Sequence, residues 1–304
     1  MAISRAQLVK ELEPGLNALF GLEYKRYENQ HAEIYTTESS DRAFEEEVML
    51  SGFANAQTKA EGAGVSFDEA QETYTARYTH DTIALAFAIT EEAIEDNLYD
   101  RLASRYTKAL ARSMSNAKQV KAVTPLIQGL PSTDNYDSGD AVSLFSTNHS
   151  TVSGTAVKNT LTTQADLNET SLEQALIDIA AFTDERGLRV AAKGTKMIVP
   201  SANQFAAERL LKSQGRTGTA DNDINAVVSM GMVPQGYRVN NFLTDTDSWY
   251  IITDVPNGMK MFQRAALKTA MEGDFDTGNV RYKARERYSF GVSDYRGIFG
   301  VEGA

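Results

Sequence analysis

Histidine and carboxylate side chains are the residues of this chain that acid–base or metal chemistry would use first. The chain has three histidines, His31, His80 and His149, and none stands at helical or strand spacing from another. A metal site needs ligands grouped at such spacings, for example histidines at positions i and i+4. His149 lies in the polar segment 146–150, and we interpret it as an ordinary loop residue. The histidines therefore predict no metal centre.

Carboxylates are clustered twice, at 45–47 and at Glu91, Glu92, Glu95 and Asp96. Paired carboxylates can perform acid–base or glycoside chemistry when they are held close together with separated pKa values. The second cluster is explained as negative charge in the first turn of a helix, which the helix dipole favours. The first cluster is explained as the solvated beginning of a strand. A hydrolase remains the enzyme alternative, and alanine at Glu91, Glu92 and Asp96 would abolish its activity.

Motifs for nucleotide, acyl-transfer or calcium chemistry are absent from the sequence. No glycine-rich loop continues into Lys-Ser/Thr at the start of a helix, and no Gly-x-Ser-x-Gly sequence is present. Segment 221–223 resembles part of a calcium loop but lacks the glycine and glutamate that would complete it. The absence of cysteine excludes disulfides, thiolate metal sites and cysteine nucleophiles. We therefore expect no catalytic residue, no cofactor and no metal.

The overall charge argues against tight nucleic-acid binding as the main activity. The 304 residues include 30 Lys and Arg and 41 Asp and Glu, so the formal net charge is −11. A chain this acidic repels polyphosphate at long range. Basic strips such as Lys25-Arg26 or Lys283, Arg285 and Arg287 could face nucleic acid, but we expect them to pair with acidic neighbours. With neither a secretory leader nor a run of about 18 apolar residues, the chain is expected to be made and to stay in a cytosol.

The elements that would position any site begin with an arm and a hairpin. Residues 1–44 combine a short amphipathic helix, interrupted at Pro14-Gly15, with a polar stretch, and they predict an arm that buries little within its own subunit. Residues 45–89 predict two strands with a glycine-rich connection, because side chains alternate from Tyr74 to Ile89. That alternation would span roughly 50 Å, so the hairpin must project or lie along a neighbour.

The remaining segments predict one long helix, a mixed lobe and closing strands. The helix of residues 90–124 starts at Thr90 and ends at about Val123, before Pro125. Residues 125–264 alternate helix and strand patterns, including a capping box at 170–173 and a helix that Gly187 stops. Residues 265–304 return to strand alternation and are expected to pair with segment 45–89. This order of elements predicts an α+β fold.

The order of elements and several segments resemble the Hong Kong 97-type capsid fold of tailed-bacteriophage coat proteins. Ala60-Glu61-Gly62 with Phe67-Asp68-Glu69 resembles the family's extended loop, and segment 89–96 resembles the start of its spine helix. The segments similar to the axial lobe and to the closing strands are 196–200, 281–287 and 294–297. The segments most similar to the major head subunits of Mu-like phages are 144–149, 166–170 and 184–188.

The resemblance implies a shell-building subunit without catalysis. It implies a peripheral domain with the spine helix at 90–124, an axial domain at 125–264, and C-terminal strands at 265–304 that return to the peripheral domain. Hexamers and pentamers would form an icosahedral virion capsid, assembled in the host cytoplasm, that encloses double-stranded DNA without sequence-specific binding. A scaffolding protein, a portal and a decoration or cement protein are implied partners, and a membrane is not. An encapsulin-type bacterial nanocompartment shell is the alternative within the same fold.

The arm and the hairpin are the candidate surfaces for contacts between subunits, because these segments have little of their own subunit on which to bury side chains. The side chains that we predict to make such contacts are Leu16, Phe20, Phe53, Glu61, Phe67, Tyr74 and Tyr78.

Overall fold

The computed structural model describes residues 5–90, 92, 99–133, 135–215, 223–274 and 278–304, with the backbone alone for 5–12 and 99–102. The described helices are α1 (Arg5–Arg26), α2 (Tyr99–Gln128), α3 (Glu169–Ala180), α4 (Gln204–Lys212) and α5 (Ala226–Ser229). The described strands are β1 (Thr36–Ser39), β2 (Phe44–Leu50), β3 (Glu72–Thr79), β4 (Asp81–Ile89), β5 (His149–Ser150), β6 (Ala156–Val157), β7 (Gly194–Val199), β8 (Tyr237–Val239), β9 (Trp249–Thr253), β10 (Met259–Gly273), β11 (Val280–Val292) and β12 (Ile298–Val301). Short 3-10 turns cover Gln30–Glu33, Ser201–Asn203 and Tyr295–Gly297.

The first sheet has the strand order β1-β10-β11-β4 and is built around β11. This strand is antiparallel to both β10 and β4, and Val280 lies opposite Ile89. The prediction that the C-terminal alternation pairs with segment 45–89 is confirmed for β11. Its residues alternate between buried and less buried from Val280 to Arg287, because successive side chains of a strand point to opposite faces of the sheet.

Helices α1 and α2 cover one face of the first sheet. In the core between them, the ring centroids of Phe20 and Tyr282 lie 6.4 Å apart, and those of Phe87 and Tyr282 lie 5.5 Å apart. The buried members of this core are Leu16, Phe20, Ile89, Ala103, Leu110, Ala111, Met114, Tyr282 and Ala284. Burial of a large apolar side chain stabilises a protein by about 1.5–3 kcal/mol, so α1 is held mainly by this packing.

Helix α2 continues through Pro125 to Gln128, so the prediction that it ends at about Val123 is wrong. Proline removes a backbone N–H and usually bends or ends a helix. Here the Thr124 hydroxyl donates to the carbonyl oxygen of Val120 at 2.9 Å, and Leu126 after the proline is fully buried. Burial of this last turn outweighs the missing hydrogen bond. The predicted start of the helix at 91–98 lies outside the described residues, apart from Glu92.

The second sheet has the order β12-β9-β7-β8 and carries the larger core, in which Trp249 is fully buried. Strand β12 pairs with β9, and Ile298 lies opposite Ile252. The last strand therefore belongs to the second sheet, which corrects the prediction that all of 265–304 returns to the strands of segment 45–89. The two sheets can meet here because a Cβ atom on Gly258 would lie only 2.7 Å from the Cα atom of Gly297.

The long alternation from Tyr74 to Ile89 forms two strands and not one. Strand β3 pairs with β2 in a hairpin, whereas β4 joins the first sheet. His80 separates them, and its ring nitrogens lie 2.9 Å from the hydroxyl oxygens of Ser40 and Ser289. These polar contacts hold the chain where it passes from the hairpin to the sheet.

The predicted capping box is present but begins earlier in the sequence. Asn168 is the N-cap of α3: its side chain accepts a hydrogen bond from the Ser171 N–H at 2.9 Å, and the Ser171 hydroxyl oxygen accepts one from the Asn168 N–H at 3.0 Å. The helix ends at Ala180, so Gly187 does not stop it. Gly187 instead occupies a later turn with φ of 84°.

Candidate intersubunit surfaces

Helix α1, which forms much of the predicted arm, packs on its own chain. Leu16 is 6% exposed and Phe20 is 2% exposed. Asn17 between them accepts hydrogen bonds from the hydroxyl groups of Thr269 at 2.7 Å and Tyr282 at 2.8 Å. The prediction that Leu16 and Phe20 contact another subunit is therefore corrected: both lie within one chain, because α1 fits the apolar face that α2 and β11 form together.

A buried ion pair joins α2 and β11, and a tyrosine of α1 contacts it. Lys118 Nζ lies 3.2 Å from Glu286 Oε2, and the Tyr24 hydroxyl group donates to the same carboxylate at 3.4 Å. Burial raises the pKa of Glu286, and the positive charge of Lys118 opposes that shift. Since a buried charge without its partner is costly, this ion pair holds α2 on the sheet, and the Tyr24 hydrogen bond connects α1 to it.

His31 follows α1 and contacts α2 as a neutral imidazole. Its backbone N–H donates to Gln119 Oε1 at 2.9 Å, and Gln119 Nε2 lies 3.0 Å from His31 Nδ1. The amide nitrogen can only donate, so Nδ1 is the acceptor. Burial, and next the positive charge of Lys118, lower the pKa of His31 to about 4.

We expect the free energy of unfolding to fall as the pH drops from about 6.5 towards 4. The unfolded chain protonates His31 near its ordinary pKa, whereas the folded chain does so only near the lowered value. The stability from this group is complete above the unfolded pKa and is lost as the pH falls through the folded pKa. Denaturant titrations of the unassembled subunit across this range should give a steeper pH dependence for the wild type than for His31→Gln. Identical pH dependences would contradict the assignment.

The β2–β3 hairpin turns one face towards the body of the chain and the other towards solvent. Tyr78 is 2% exposed, and its hydroxyl oxygen lies 2.5 Å from that of Ser293. Tyr74 packs against the larger core and donates to the Ser293 carbonyl oxygen at 3.4 Å. These two predicted intersubunit residues thus also lie against their own chain. On the opposite face, the apolar side chains of Val48 and Leu50 are exposed.

The loop between β2 and β3 is closed at its base and exposed beyond it. The Ser51 N–H donates to the Gln71 carbonyl oxygen at 2.8 Å, and the Gln71 N–H donates to Ser51 Oγ at 2.9 Å. Beyond this closure, Phe53 is 60% exposed and Phe67 is 97% exposed. Glu61 is exposed as well. Among the predicted intersubunit residues, Phe53, Glu61 and Phe67 are therefore the three that remain available to a second copy.

Arg186 fastens the returning side of this loop. Its Nη2 atom donates to the Glu69 carbonyl oxygen at 2.5 Å and lies 3.5 Å from Asp68 Oδ1. Asp68 Oδ2 accepts from the Ala54 N–H at 2.7 Å, and this hydrogen bond lowers the pKa of Asp68. The base of the loop is thus fixed, although its apolar side chains stay in solvent.

His149 is a buried structural residue, and the prediction of an ordinary loop residue is wrong. The side chain is fully buried; Nδ1 lies 2.6 Å from Asp140 Oδ2 and Nε2 lies 3.1 Å from Asn159 Oδ1. Its ring stacks on Tyr295 with centroids 3.9 Å apart. Burial acts to raise the pKa of Asp140, but the hydrogen bond from His149 helps to lower it overall. Because both ring nitrogens are occupied and the ring is sealed from solvent, His149 cannot serve a substrate as a base.

The acidic cluster at 45–47 has structural partners on neighbouring elements. Glu47 lies 2.5 Å from Lys260 Nζ, and Glu46 lies 3.7 Å from Arg77 Nε. Glu45 accepts a hydrogen bond from Ser40 at 2.7 Å. Within the described residues, no group of three or more His, Asp or Glu side chains is arranged to hold a metal ion. None of the described helices combines the length and apolar character that crossing a bilayer requires.

The outward face of β11 carries a row of basic side chains. Lys283 and Arg285 are exposed and Arg287 is half-buried, and Lys268 of β10 lies opposite Arg285. We expected such cations to pair with acidic neighbours, yet in the described part of the chain none of these four forms an ion pair within 4.0 Å. The reason is the register, because the β4 residues beside this row are Ala84, Ala86 and Ala88. In the other strip, Arg26 does pair, with Glu23 at 3.5 Å.

Comparison with known proteins shows which families and structures this chain is similar to. A family model described as phage capsid protein matches residues 72–301 of the chain. The fold is similar to the capsid of an empty GTA particle, with 14% identity over 90% of this chain and 89% of that chain and a TM-score of 0.58. It is also similar to the capsid of Myoviridae phage XM1, with 11% identity over 89% of each chain and a TM-score of 0.53. A virus-like particle from Pyrococcus furiosus has 10% identity over 94% of this chain and 98% of that chain, with a TM-score of 0.53.

These likenesses confirm the predicted Hong Kong 97-type fold. No curated protein matches the chain in sequence. The family match begins in β3 and continues through α2 and both sheets to β12. It covers well over half of the 304 residues, and the chain therefore belongs to the phage capsid protein family.

Proposed function

We propose that this capsid protein is the major head subunit of a tailed phage and assembles into the hexamers and pentamers of an icosahedral shell around double-stranded DNA. The observation that carries the proposal is the extended loop between β2 and β3 (residues 51–71), whose returning side holds Phe67 at 97% exposure. The apolar side chains of a loop that is fixed at its base and uncovered beyond it are expected to be buried on another molecule. Repeated heterologous contacts of this kind must close on themselves, and rings of subunits close them.

The segments have separate proposed roles in that shell. Phe53, Glu61 and Phe67 of the extended loop would contact a neighbouring subunit. The lobe of residues 125–264 would cluster around the capsomer axis, and its exposed Ile224 and Met230, at 73% and 70%, support an apolar contact there. Helix α2 would be the rigid spine between the two regions. The role is structural, as expected of a capsid protein, and the proposal assigns it no catalysis.

The partners are proposed from the family resemblance. A scaffolding protein, a portal and a decoration or cement protein would accompany assembly in the host cytoplasm, and a Mu-like head subunit remains our prediction for the subtype. An encapsulin-type shell would have the same fold but would enclose an enzyme. Nucleic acid inside particles made during infection, in place of an enzyme cargo, distinguishes the phage head from the nanocompartment.

The proposal is tested by expressing the chain, alone and with its neighbouring phage genes, and imaging the product by negative-stain microscopy. We expect closed shells of uniform diameter. Trypsin should cut the unassembled subunit at the exposed Lys59 in the extended loop, and assembled shells should resist that cut. A compact monomer under every assembly condition, or cleavage at the same rate in shells, would contradict the proposed function.

A further inference from the structure

Strand β4 forms one edge of the first sheet, and its free side is uncharged. In the order β1-β10-β11-β4, it is hydrogen-bonded to a strand on one side only, to β11. The register between β4 and β11 is continuous and contains no bulge. From Thr82 to Ile89 the strand has no charged side chain, no proline and no glycine. An edge strand of this kind offers its unpaired N–H and C=O groups to another strand.

The other edge strands in the described part of the chain are protected by their length or by their charge. Strands β1, β5, β6, β8 and β12 are only two to four residues long. The hairpin strands β2 and β3 are longer, but they carry charged side chains, among them Glu46 and Arg77. Short length and charge are usual devices that keep an edge from pairing with a further strand. Strand β4 lacks both, so we expect a partner to cover it in the assembled protein.

Apolar side chains lie exposed along the same edge. Leu85 is 46% exposed, although its neighbours on the same face, Ile83 and Phe87, pack against the core beneath α2. Tyr106 of α2 is 50% exposed and stands beside Phe87, with ring centroids 5.8 Å apart. A strand added to β4 would place its own side chains beside Leu85 and continue this core past the present edge.

The sequence of β4 is nearly the same in both directions. Residues 83–89 are Ile-Ala-Leu-Ala-Phe-Ala-Ile, with Ala86 at the centre. When two copies of a segment pair about a two-fold axis, residue i contacts residue j and residue j contacts residue i. With Ala86 on that axis, Leu85 lies opposite Phe87 of the second copy, each isoleucine lies opposite an isoleucine, and each alanine lies opposite an alanine. The large apolar side chains therefore meet one another on one face, and small side chains meet on the other.

We infer that β4 of one copy pairs with β4 of a second copy, antiparallel and centred on Ala86, so that two four-stranded sheets become one continuous sheet. The inference rests on the proposed function, because the shell supplies the second copy, and it adds a two-fold contact that does not involve the extended loop. An edge about 30 Å long and about 10 Å thick covers roughly 300 Å² on each copy. A stable dimer usually needs about 800 Å² on each partner. The contact is therefore expected between subunits that a shell already holds together, and not in dilute subunits.

The basic side chains of β11 do not prevent this pairing. Lys283 lies opposite Ala86, so three strand spacings of about 4.8 Å separate Lys283 from its equivalent in the second copy. That distance, about 14 Å, exceeds the Debye length of about 8 Å at physiological ionic strength, and the repulsion is largely screened. Within residues 83–89 no charged side chain is brought opposite another.

A strand of a different protein is the other occupant that an open edge can take. Recognition of such a strand would need a feature of β4 that selects it, such as charge at the edge, and residues 82–89 carry none. The symmetry of residues 83–89, in contrast, makes the strand complementary to itself. The observations therefore favour a second copy of this chain.

The test introduces single cysteines into the full chain, which has none of its own. Ala86→Cys places a thiol on the proposed two-fold axis, where directly opposite Cβ atoms are about 4.5–5.5 Å apart. Ala84→Cys is the register control, because its thiol would lie four residues, or roughly 13 Å, along the strands from its equivalent. Ala270→Cys is the second control: like Ala86, Ala270 is exposed and lies opposite Lys283, but it belongs to β10 and not to the free edge.

Assembled shells of each variant are treated with diamide, and covalent dimers are measured on non-reducing gels. Cα atoms more than about 7 Å apart cannot be bridged by a disulfide, so we expect Ala86→Cys to give at least about tenfold more dimer than either control. Dithiothreitol should reverse the dimer. Before oxidation, maleimide should label the thiol of Ala86→Cys more slowly in shells than in the unassembled subunit, and circular dichroism verifies that each variant is folded.

A dimer yield for Ala86→Cys no higher than that of either control would overturn the inference. Equal maleimide labelling in shells and in free subunits would show that the edge stays open and would also overturn it. A thiol that is protected in shells but forms no dimer would assign the edge to a strand of another protein, which again contradicts pairing with a second copy. If the wild type forms no shells, the proposed function fails. Oxidation of the concentrated subunit then decides the inference, because preferential dimer formation by Ala86→Cys supports it and the lack of any preference contradicts it.

Discussion

Replacing residues 57–67 of the extended loop with a short Gly-Ser linker is expected to leave a folded, soluble subunit that no longer closes shells. The linker keeps the closure of the loop at Ser51 and Gln71 and the contact of Asp68 with Arg186. It removes Glu61 and Phe67, which make no contact that the fold requires. The thermal midpoint should therefore stay within about 2 °C of the wild type, since surface changes away from packed features are usually within about 0.5 kcal/mol.

Loss of assembly is expected to be complete because every subunit would lack the same contact with its neighbour. Sedimentation and negative-stain microscopy measure the loss directly, and circular dichroism of the same samples measures folding. Thr58→Ala is the matched control, because it changes an exposed residue of the loop but keeps both the carboxylate and the aromatic side chain. Closed particles of wild-type size from the linker variant would show that the loop is dispensable and that the proposed interface lies elsewhere.

Periodicity in the sequence was sufficient where one strand has one buried face. The alternation predicted within residues 265–304 corresponds to β11 from Val280 to Arg287. A period of two follows directly from the pleated geometry of a strand. Periodicity does not predict where the chain passes from one sheet to another, because that position depends on contacts with residues that are distant in the sequence. The alternating segment 74–89 forms β3 in one sheet and β4 in another, and His80 between them contacts Ser40 and Ser289. A local sequence pattern cannot predict such contacts.

The wrong prediction that Leu16 and Phe20 of the arm contact another subunit has the same physical cause. Leu16 and Phe20 have the helical spacing of an amphipathic helix, but the sequence does not show which surface will cover them. The structure supplies that surface from residues more than 250 positions away, where Thr269 and Tyr282 donate to Asn17. His149 was missed because its partners Asp140 and Asn159 are themselves polar, so the segment has the composition of a solvated loop. The one signal in the sequence for a buried His149 was a pair of polar residues about ten positions before and after it.

The basic side chains on the outward face of β11 show the opposite case, in which the residues were identified but their pairing was not. Lys283, Arg285 and Arg287 lie at a spacing of two, which places all three on one face of β11. Whether carboxylates stand beside them depends on the register with β4, which brings Ala84 and Ala86 into those positions. Register is a property of two strands together. The register of β11 with β4 is therefore the reason that the cations lie exposed and do not form the expected ion pairs.

Arg296→Leu is expected to be the most destabilising single substitution that we predict, at about 3–5 kcal/mol. Arg296 lies in the turn that carries the chain from the first sheet to the second. Its Nη2 atom lies 2.5 Å from Glu185 Oε1, with both side chains 3% exposed, and its Nη1 atom lies 3.2 Å from Asp294 Oδ1. The Nε atom donates to the Thr183 carbonyl oxygen at 2.8 Å. Burial raises the pKa of Asp294, and Arg296 opposes that shift.

Removing the guanidinium group would leave two carboxyl groups and a carbonyl oxygen buried without their donor, and this desolvation is the source of the expected loss. Because domains are stable by only about 5–15 kcal/mol, such a loss would remove much of the stability of the subunit. The free energy of unfolding of Arg296→Lys should lie between those of the wild type and Arg296→Leu, because an ammonium group cannot form the same fork of hydrogen bonds. Denaturant unfolding of the unassembled subunit measures all three proteins. Lys121→Ala is the control, because it breaks a pair of the same 2.5 Å length with Asp81 at the surface, where the loss should be at most about 1 kcal/mol. If Arg296→Leu costs no more than that control, the buried network does not hold the two sheets together.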